Sequence, residues 1–208
     1  MADKDLDRIY TASGDAEMRE LYDKWADDYD SDVVGNGYLT PTRIADALGR
    51  LVPDRDVAVM DHGCGTGLSG VALDEAGFSR IDGADLSQKM LDRARECEVY
   101  RTLDLIEPDA PLPDRYAQYP VIVAAGVISK GAAPPSLYGD LITAMRPGAL
   151  LAFSVNDLSL AEPDYAKLVD RSAEAGEVKV LHDEHGPHLT GYEENNGSKV
   201  YVVEKLAR

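Results

Sequence analysis

The 208-residue chain carries 21 basic and 38 acidic side chains, a formal net charge of −17, with 44% hydrophobic and 28% charged residues. A chain of this length buries roughly 70% of its unfolded surface, so a single domain whose core needs no disulfide or metal staple is expected. A field of this sign opposes the phosphate neutralisation on which nucleic-acid binding depends, and opposes anionic membranes likewise.

The opening segment, Met1–Tyr10, lacks the apolar core of a signal peptide, and no run approaches the roughly 20 apolar residues of a membrane span. A soluble, cytoplasmic protein is expected. Residues 15–31 read as a helix, with Leu21, Tyr22, Trp25 and Tyr29 on one side and Asp23, Lys24, Asp27 and Asp28 on the other. Gly35 and Gly37 break it. Thr40 then reads as an N-cap with Pro41 at the first helical position, opening a helix that ends near Val52 before Pro53-Asp54. Residues 1–53 are expected to form a helical cap, and 54–208 the α/β core, of one domain.

From Val57 the pattern alternates. Val57–Met60 is an apolar strand running into a glycine cluster, and Leu68–Ala76 a helix stopped by Gly77. Arg80–Ala84 is a strand, and Ser87 caps a helix through Cys97. Val99–Leu103 is a third strand; Val121–Ala125, wholly apolar, is a fourth and central one. Pro134–Met145 is a helix, Leu150–Val155 a strand, and Pro163–Glu174 a helix. Glu177–Leu181 and Lys199–Glu204 follow as strands with no helix between them, which suits an antiparallel hairpin. The fold expected is α/β: a Rossmann-like, doubly wound, seven-stranded sheet, mostly parallel, with an antiparallel C-terminal hairpin and helices on both faces. Cys64 and Cys97 make no pattern, which favours a reducing compartment over a disulfide framework.

The informative segment runs from Val57 to Gly70. A strand enters Asp61, then Gly63, Gly65 and Gly67, then a helix, which is the arrangement of a nucleotide-type cofactor site. Gly65-Thr66-Gly67-Leu68-Ser69-Gly70 also matches the dinucleotide pattern, with Asp85 at the expected ribose-binding distance. Asp61 argues against that reading, because a carboxylate at the strand end repels a pyrophosphate. S-adenosylmethionine carries no phosphate and brings an ammonium and a sulfonium, which an anion suits. Asp85 is then placed for the ribose hydroxyls, Met90 for an adenine face through its soft thioether, and Asp104 for the adenine amino group. Ala125 and Gly126 border the methionine end.

With these residues in view, the sequence resembles the class I S-adenosylmethionine-dependent methyltransferases. Asp61 to Gly67, including Cys64, looks like that family's first motif, and Asp85-Leu86-Ser87-Gln88-Lys89-Met90-Leu91 like its second. Leu103-Asp104-Leu105 resembles the adenine-contacting step, and Met145 to Leu151 the turn into the strand after the fourth. Tyr22 to Asp30, with Val99-Tyr100, look closest to the Williams–Beuren-syndrome-region methyltransferase-like branch. The resemblance implies that the leading helix lies over the cofactor, with Tyr22, Trp25 or Tyr29 touching it. His62 departs from the family pattern, which more often has an apolar residue there.

The expected activity is in-line methyl transfer to a small-molecule acceptor under a lid built from residues 15–38 and the connection between the last two strands. No signature names a general base; His62, Tyr29 and the closing histidines are the candidates. His182, His185 and His188 invite a metal reading by their spacing, but their polar, turn-rich surroundings suggest a solvated loop and no metal. Two other readings stay open: a non-catalytic S-adenosylmethionine- or nucleotide-binding module, and an NAD-dependent oxidoreductase.

Overall fold

A computed structural model describes residues 33, 35–107, 110–191 and 196–207. The helix expected over 15–31, with Tyr22, Trp25 and Tyr29, lies outside them. Seven strands are present: β1 (Ala58–His62), β2 (Arg80–Asp85), β3 (Tyr100–Leu105), β4 (Val121–Ala124), β5 (Leu150–Asn156), β6 (Val178–Pro187) and β7 (Gly197–Lys205). They form one sheet in the order β3-β2-β1-β4-β5-β7-β6. The first five run parallel, and β7 is antiparallel to both β5 and β6. β4, the most apolar strand, occupies the centre, as its unbroken run of apolar residues predicts.

Strand alternation sends successive side chains to opposite faces. Val59, Val121, Val123, Ala152, Val200 and Val202 fall on one face, while Met60, Ile122, Leu151, Phe153, Tyr201 and Val203 fall on the other. The first face is covered by α1 (Thr40–Leu51) and α2 (Leu68–Glu75), through Ile44, Leu48 and Leu73, with Phe78 beside them. The second is covered by α4 (Ser136–Ala144), through Tyr138, Leu141 and Ile142, and by Tyr116. Each such aliphatic side chain contributes about 1.5–3 kcal/mol by leaving water. Helix α3 (Gln88–Glu96) packs Leu91 and Ala94 on Cys64, Tyr100 and Leu103.

Three expectations are corrected. First, Leu39 and not Thr40 takes the N-cap position of α1, which covers one face of the sheet. The Thr40 hydroxyl is engaged elsewhere, with His188 Nδ1 at 2.7 Å and Ser198 Oγ at 3.1 Å. Second, the helix expected over Pro163–Glu174 is two: α6 (Pro163–Ala166) and α7 (Leu168–Glu174), preceded by α5 (Asp157–Leu160). α6 packs on α5 and α7 packs on β6, and one straight rod does not serve both surfaces. Third, β6 runs on through His182 and His185 to Pro187, where a loop was expected. It is a sheet edge, mostly exposed, so its strand character carries no apolar alternation. Arg43 of α1 fastens it, donating to the carbonyls of Glu184, Pro187 and Ser198 at 2.9–3.1 Å.

Candidate functional site

The parallel strands β1, β2, β3 and β4 all end at one edge of the sheet, and their register brings the sequence-predicted residues there. Asp61 pairs with Gly83 and Val123, and Asp104 pairs with Ala84, one residue before Asp85. Past β1 the chain turns through Gly63, Gly65 and Gly67 at φ of +70°, +54° and +102°, a region that side-chain-bearing residues rarely adopt. A Cβ at Gly63 would lie 2.5 Å from Val127, whereas one at Gly65 would meet nothing within 4 Å. Gly65 therefore faces open space across which a ligand can approach the main chain.

Asp61 is wholly buried. Its Oδ2 accepts hydrogen bonds from Ser69 Oγ at 2.6 Å and Tyr100 Oη at 2.7 Å. Its Oδ1 is buried with no partner among the described residues. Burial pushes the carboxyl up to about 6; the two hydroxyl donors pull it down, and the charge of Asp85 adds to the rise. An uncompensated carboxylate oxygen beside an open glycine loop has the chemistry to accept a cation.

Asp85 stitches the site together. Its Oδ2 accepts from the Gly65 N–H and its Oδ1 from the Ser87 N–H, each at 2.9 Å. Ser87 caps α3 as expected, accepting from the Met90 N–H at 3.1 Å. Leu86, Leu103 and Ala125 are half-buried near this edge. Asp104 is ion-paired to Arg115 at 2.7 Å. Met90, read from the sequence for the adenine face, is 1% exposed. Cys64 is buried against Leu91 and Ala94, and burial pushes its thiol well up, making it inert filler.

Sequence reading names Tyr100 only within the resemblance and misses its role at the site, which also explains Gly70. The Tyr100 hydroxyl accepts from the Gly70 N–H at 3.0 Å, and a Cβ at Gly70 would collide with the phenol. The last glycine of the apparent dinucleotide pattern thus makes room for a side chain of the protein, with no pyrophosphate involved. Only the third dimension brings residues 70 and 100 together.

Tyr38 lies across the site at the end of β4, where a Cβ on Gly126 would come within 2.5 Å of its hydroxyl. Its ring meets His188 edge-on at 5.2 Å. The turn holding Tyr38 and the β6–β7 connection are tied by main-chain bonds, Leu39 N–H to His188 O and Gly191 N–H to Asn36 O, both 2.9 Å. The histidines diverge. His188 is buried, its ring pushed down to about 4 by desolvation. His185 is half-exposed and bonded to Asp157 Oδ1 at 2.7 Å, and His182 stands 3.8 Å from Glu184. Among the described residues no group of three His, Cys, Asp or Glu is arranged to hold a metal. His62 is buried, bonded to Tyr116 Oη at 2.8 Å and lowered to about 4, which makes it a poor base.

Residues 38–193 match a family described as a methyltransferase domain. A human relative, methyltransferase-like protein 27, is 31% identical over 168 residues, spanning 77% of this chain and 68% of that protein. Among solved structures, a Haloferax volcanii methyltransferase in complex with the Trm112 methyltransferase activator superposes with a TM-score of 0.64 at 17% identity, over 89% of this chain and 98% of that one. A Pyrococcus horikoshii protein described as an RNA methyltransferase gives 0.59 at 13% identity, over 79% and 82%. At these identities the structural likeness is one of fold. Among the described residues no helix is long and apolar enough to cross a membrane.

Proposed function

The chain belongs to the class I S-adenosylmethionine-dependent methyltransferases, and on that premise we propose that it methylates a small, neutral or cationic acceptor at the edge formed by β1, β2 and β4. The observation that carries the site assignment is Asp61 Oδ1, a buried carboxylate oxygen with no partner among the described residues, set against a loop whose Gly65 faces open space. Those two features fit the cationic methionine end of S-adenosylmethionine, and they do not fit the pyrophosphate of NAD.

In this reading Asp61 balances the ligand's positive charge, and Gly63, Cys64, Gly65 and Gly67 let the ligand lie against the main chain. Asp85, which accepts from the Gly65 and Ser87 N–H groups at the tip of β2, is the acid that meets the ribose hydroxyls. Leu86, Leu103 and Asp104 border the adenine, with Arg115 holding Asp104 in place. Ala125 borders the methionine end. Bound S-adenosylmethionine supplies a methyl group already activated by its sulfonium. The chain's task is then to hold the acceptor within about 3–3.5 Å of that methyl and keep water out. The paired Tyr38 turn and β6–β7 connection are suited to close over that space.

A net charge of −17 repels polyanions and concentrates cations, which favours a small acceptor over nucleic acid. Two free cysteines suit a cytoplasmic location. Calorimetry with S-adenosylhomocysteine and NAD tests the site: the first binds and the second does not, and the reverse refutes the assignment. Labelled methyl transfer across small metabolites, peptides, tRNA and duplex DNA at low salt tests the acceptor. Label in nucleic acid alone would overturn the small-molecule proposal, and label in nothing would favour a non-catalytic binding module.

A further inference from the structure

Helix α2 begins without a side-chain cap, because its N-cap is Gly67 at φ +102°. The first N–H groups of a helix have no partner within it and must be met from outside. At Gly70, in that first turn, the partner is the Tyr100 hydroxyl, 30 residues away on β3. The same hydroxyl donates a hydrogen bond to Asp61 Oδ2 on β1. One phenol therefore caps the helix after the glycine loop and clamps the acid before it. Tyr100 stays protonated, since burial first and the Asp61 charge second push it well above the ordinary phenol value, so it remains a donor at every working pH. Ser69, also in the first turn of α2, is the second donor to Oδ2. The other titratable groups near Asp61 are Asp85 and Cys64, neither of which donates to it.

We propose that Tyr100 is a positioning residue of the cofactor site, whose hydroxyl holds the Asp61 carboxylate ionised and turned so that its second oxygen faces the ligand's cation. The assignment rests on the site reading given under Proposed function. Gly70 is its structural complement, since any side chain there would evict the phenol.

Tyr100→Phe keeps the ring and removes only the hydroxyl. Asp61 titrates at about 6 in the intact chain, so affinity for S-adenosylhomocysteine rises through that region. Losing one hydrogen bond to a charged group displaces the profile upward by about one pH unit, lowering affinity roughly fivefold at pH 6 and less than twofold at pH 8. Gly70→Ala reproduces the displacement by pushing the phenol away. A loss equal at all pH values, or no loss, overturns the proposal, because a purely structural tyrosine would not move the midpoint. Carbon-13 NMR titration of the Asp61 carboxyl in the ligand-free protein gives a second readout. An Asp61 midpoint unchanged in Tyr100→Phe refutes the clamp, whereas a displaced midpoint in a protein that binds no S-adenosylhomocysteine upholds the clamp and refutes the site reading beneath it.

Discussion

Asp61→Asn should make the ligand-free protein more stable at alkaline pH while removing its affinity for S-adenosylmethionine. The carboxyl is raised from an ordinary value near 3.8 to about 6, chiefly by burial. Below the lower value it is protonated folded and unfolded alike, and folding carries no charge burden. Above about 6 it is ionised in both states, and the native state bears the full penalty of a desolvated anion with one oxygen unpartnered. The stability associated with this group is therefore present at acid pH and lost as pH rises from about 4 through about 6. A displacement of that size corresponds to about 3 kcal/mol. Asparagine removes the charge and keeps an acceptor for Ser69 and Tyr100. Urea unfolding should place the variant about 3 kcal/mol above the parent at pH 8 and only about 1 kcal/mol above it at pH 4.5. An equal increment at both pH values, or none at pH 8, would show that the buried charge is not the burden argued here.

Asp85→Ala should weaken S-adenosylhomocysteine binding roughly 10- to 100-fold by calorimetry, and it should lower the melting temperature too, because the Gly65 and Ser87 N–H groups lose their acceptor. His62 and His188, both lowered to about 4 by burial, contribute stability that is complete above pH 6.5 and lost as pH falls toward 4. His188→Gln should flatten that part of a stability profile taken from pH 7.5 to 4.5, and an unaltered slope would count against it. Arg43→Ala should speed amide exchange about tenfold or more around 184–187 and 197–199 and leave β1 and β4 unchanged; uniform acceleration would mean that Arg43 supports the whole fold.

The sheet's centre was legible because burial on both faces demands apolar runs, and β1, β4 and β5 supply them. The loop was legible because Gly63, Gly65 and Gly67 need left-handed backbone, and few other residues accept it. Asp61 and Asp85 stood out by position alone, one before the loop and one at the tip of the next strand. The edge was not legible. β6 is exposed along much of its length, so the polar stretch His182-Asp183-Glu184-His185 reads as loop although Arg43 and β7 hold it extended. Thr40 had the composition of a cap, yet a buried His188 ring 148 positions away claims its hydroxyl. Tyr100 entered only through the Val99-Tyr100 resemblance, and nothing local gave its role. A half-buried tyrosine on a strand is ordinary, and its role exists only where β1, β3 and α2 converge.

Two glycines give the same physical lesson from opposite sides of the site. Gly70 is glycine because the Tyr100 phenol occupies the space of its Cβ, and Gly126 meets the Tyr38 hydroxyl in a similar way. Gly65, with the same absence of side chain, meets nothing. A spacing rule treats residues 65, 67 and 70 as one phosphate-binding signature, yet their surroundings differ. The first faces open space, and the second is crowded by Cys97 and the main chain of Ala94. The third is filled by a tyrosine that also bonds the acid. Glycine records only that something comes close to the backbone. Whether that is a ligand or another part of the protein depends on the neighbour, and at this site the neighbours favour the proposed cation-binding loop over a dinucleotide loop of the same spelling.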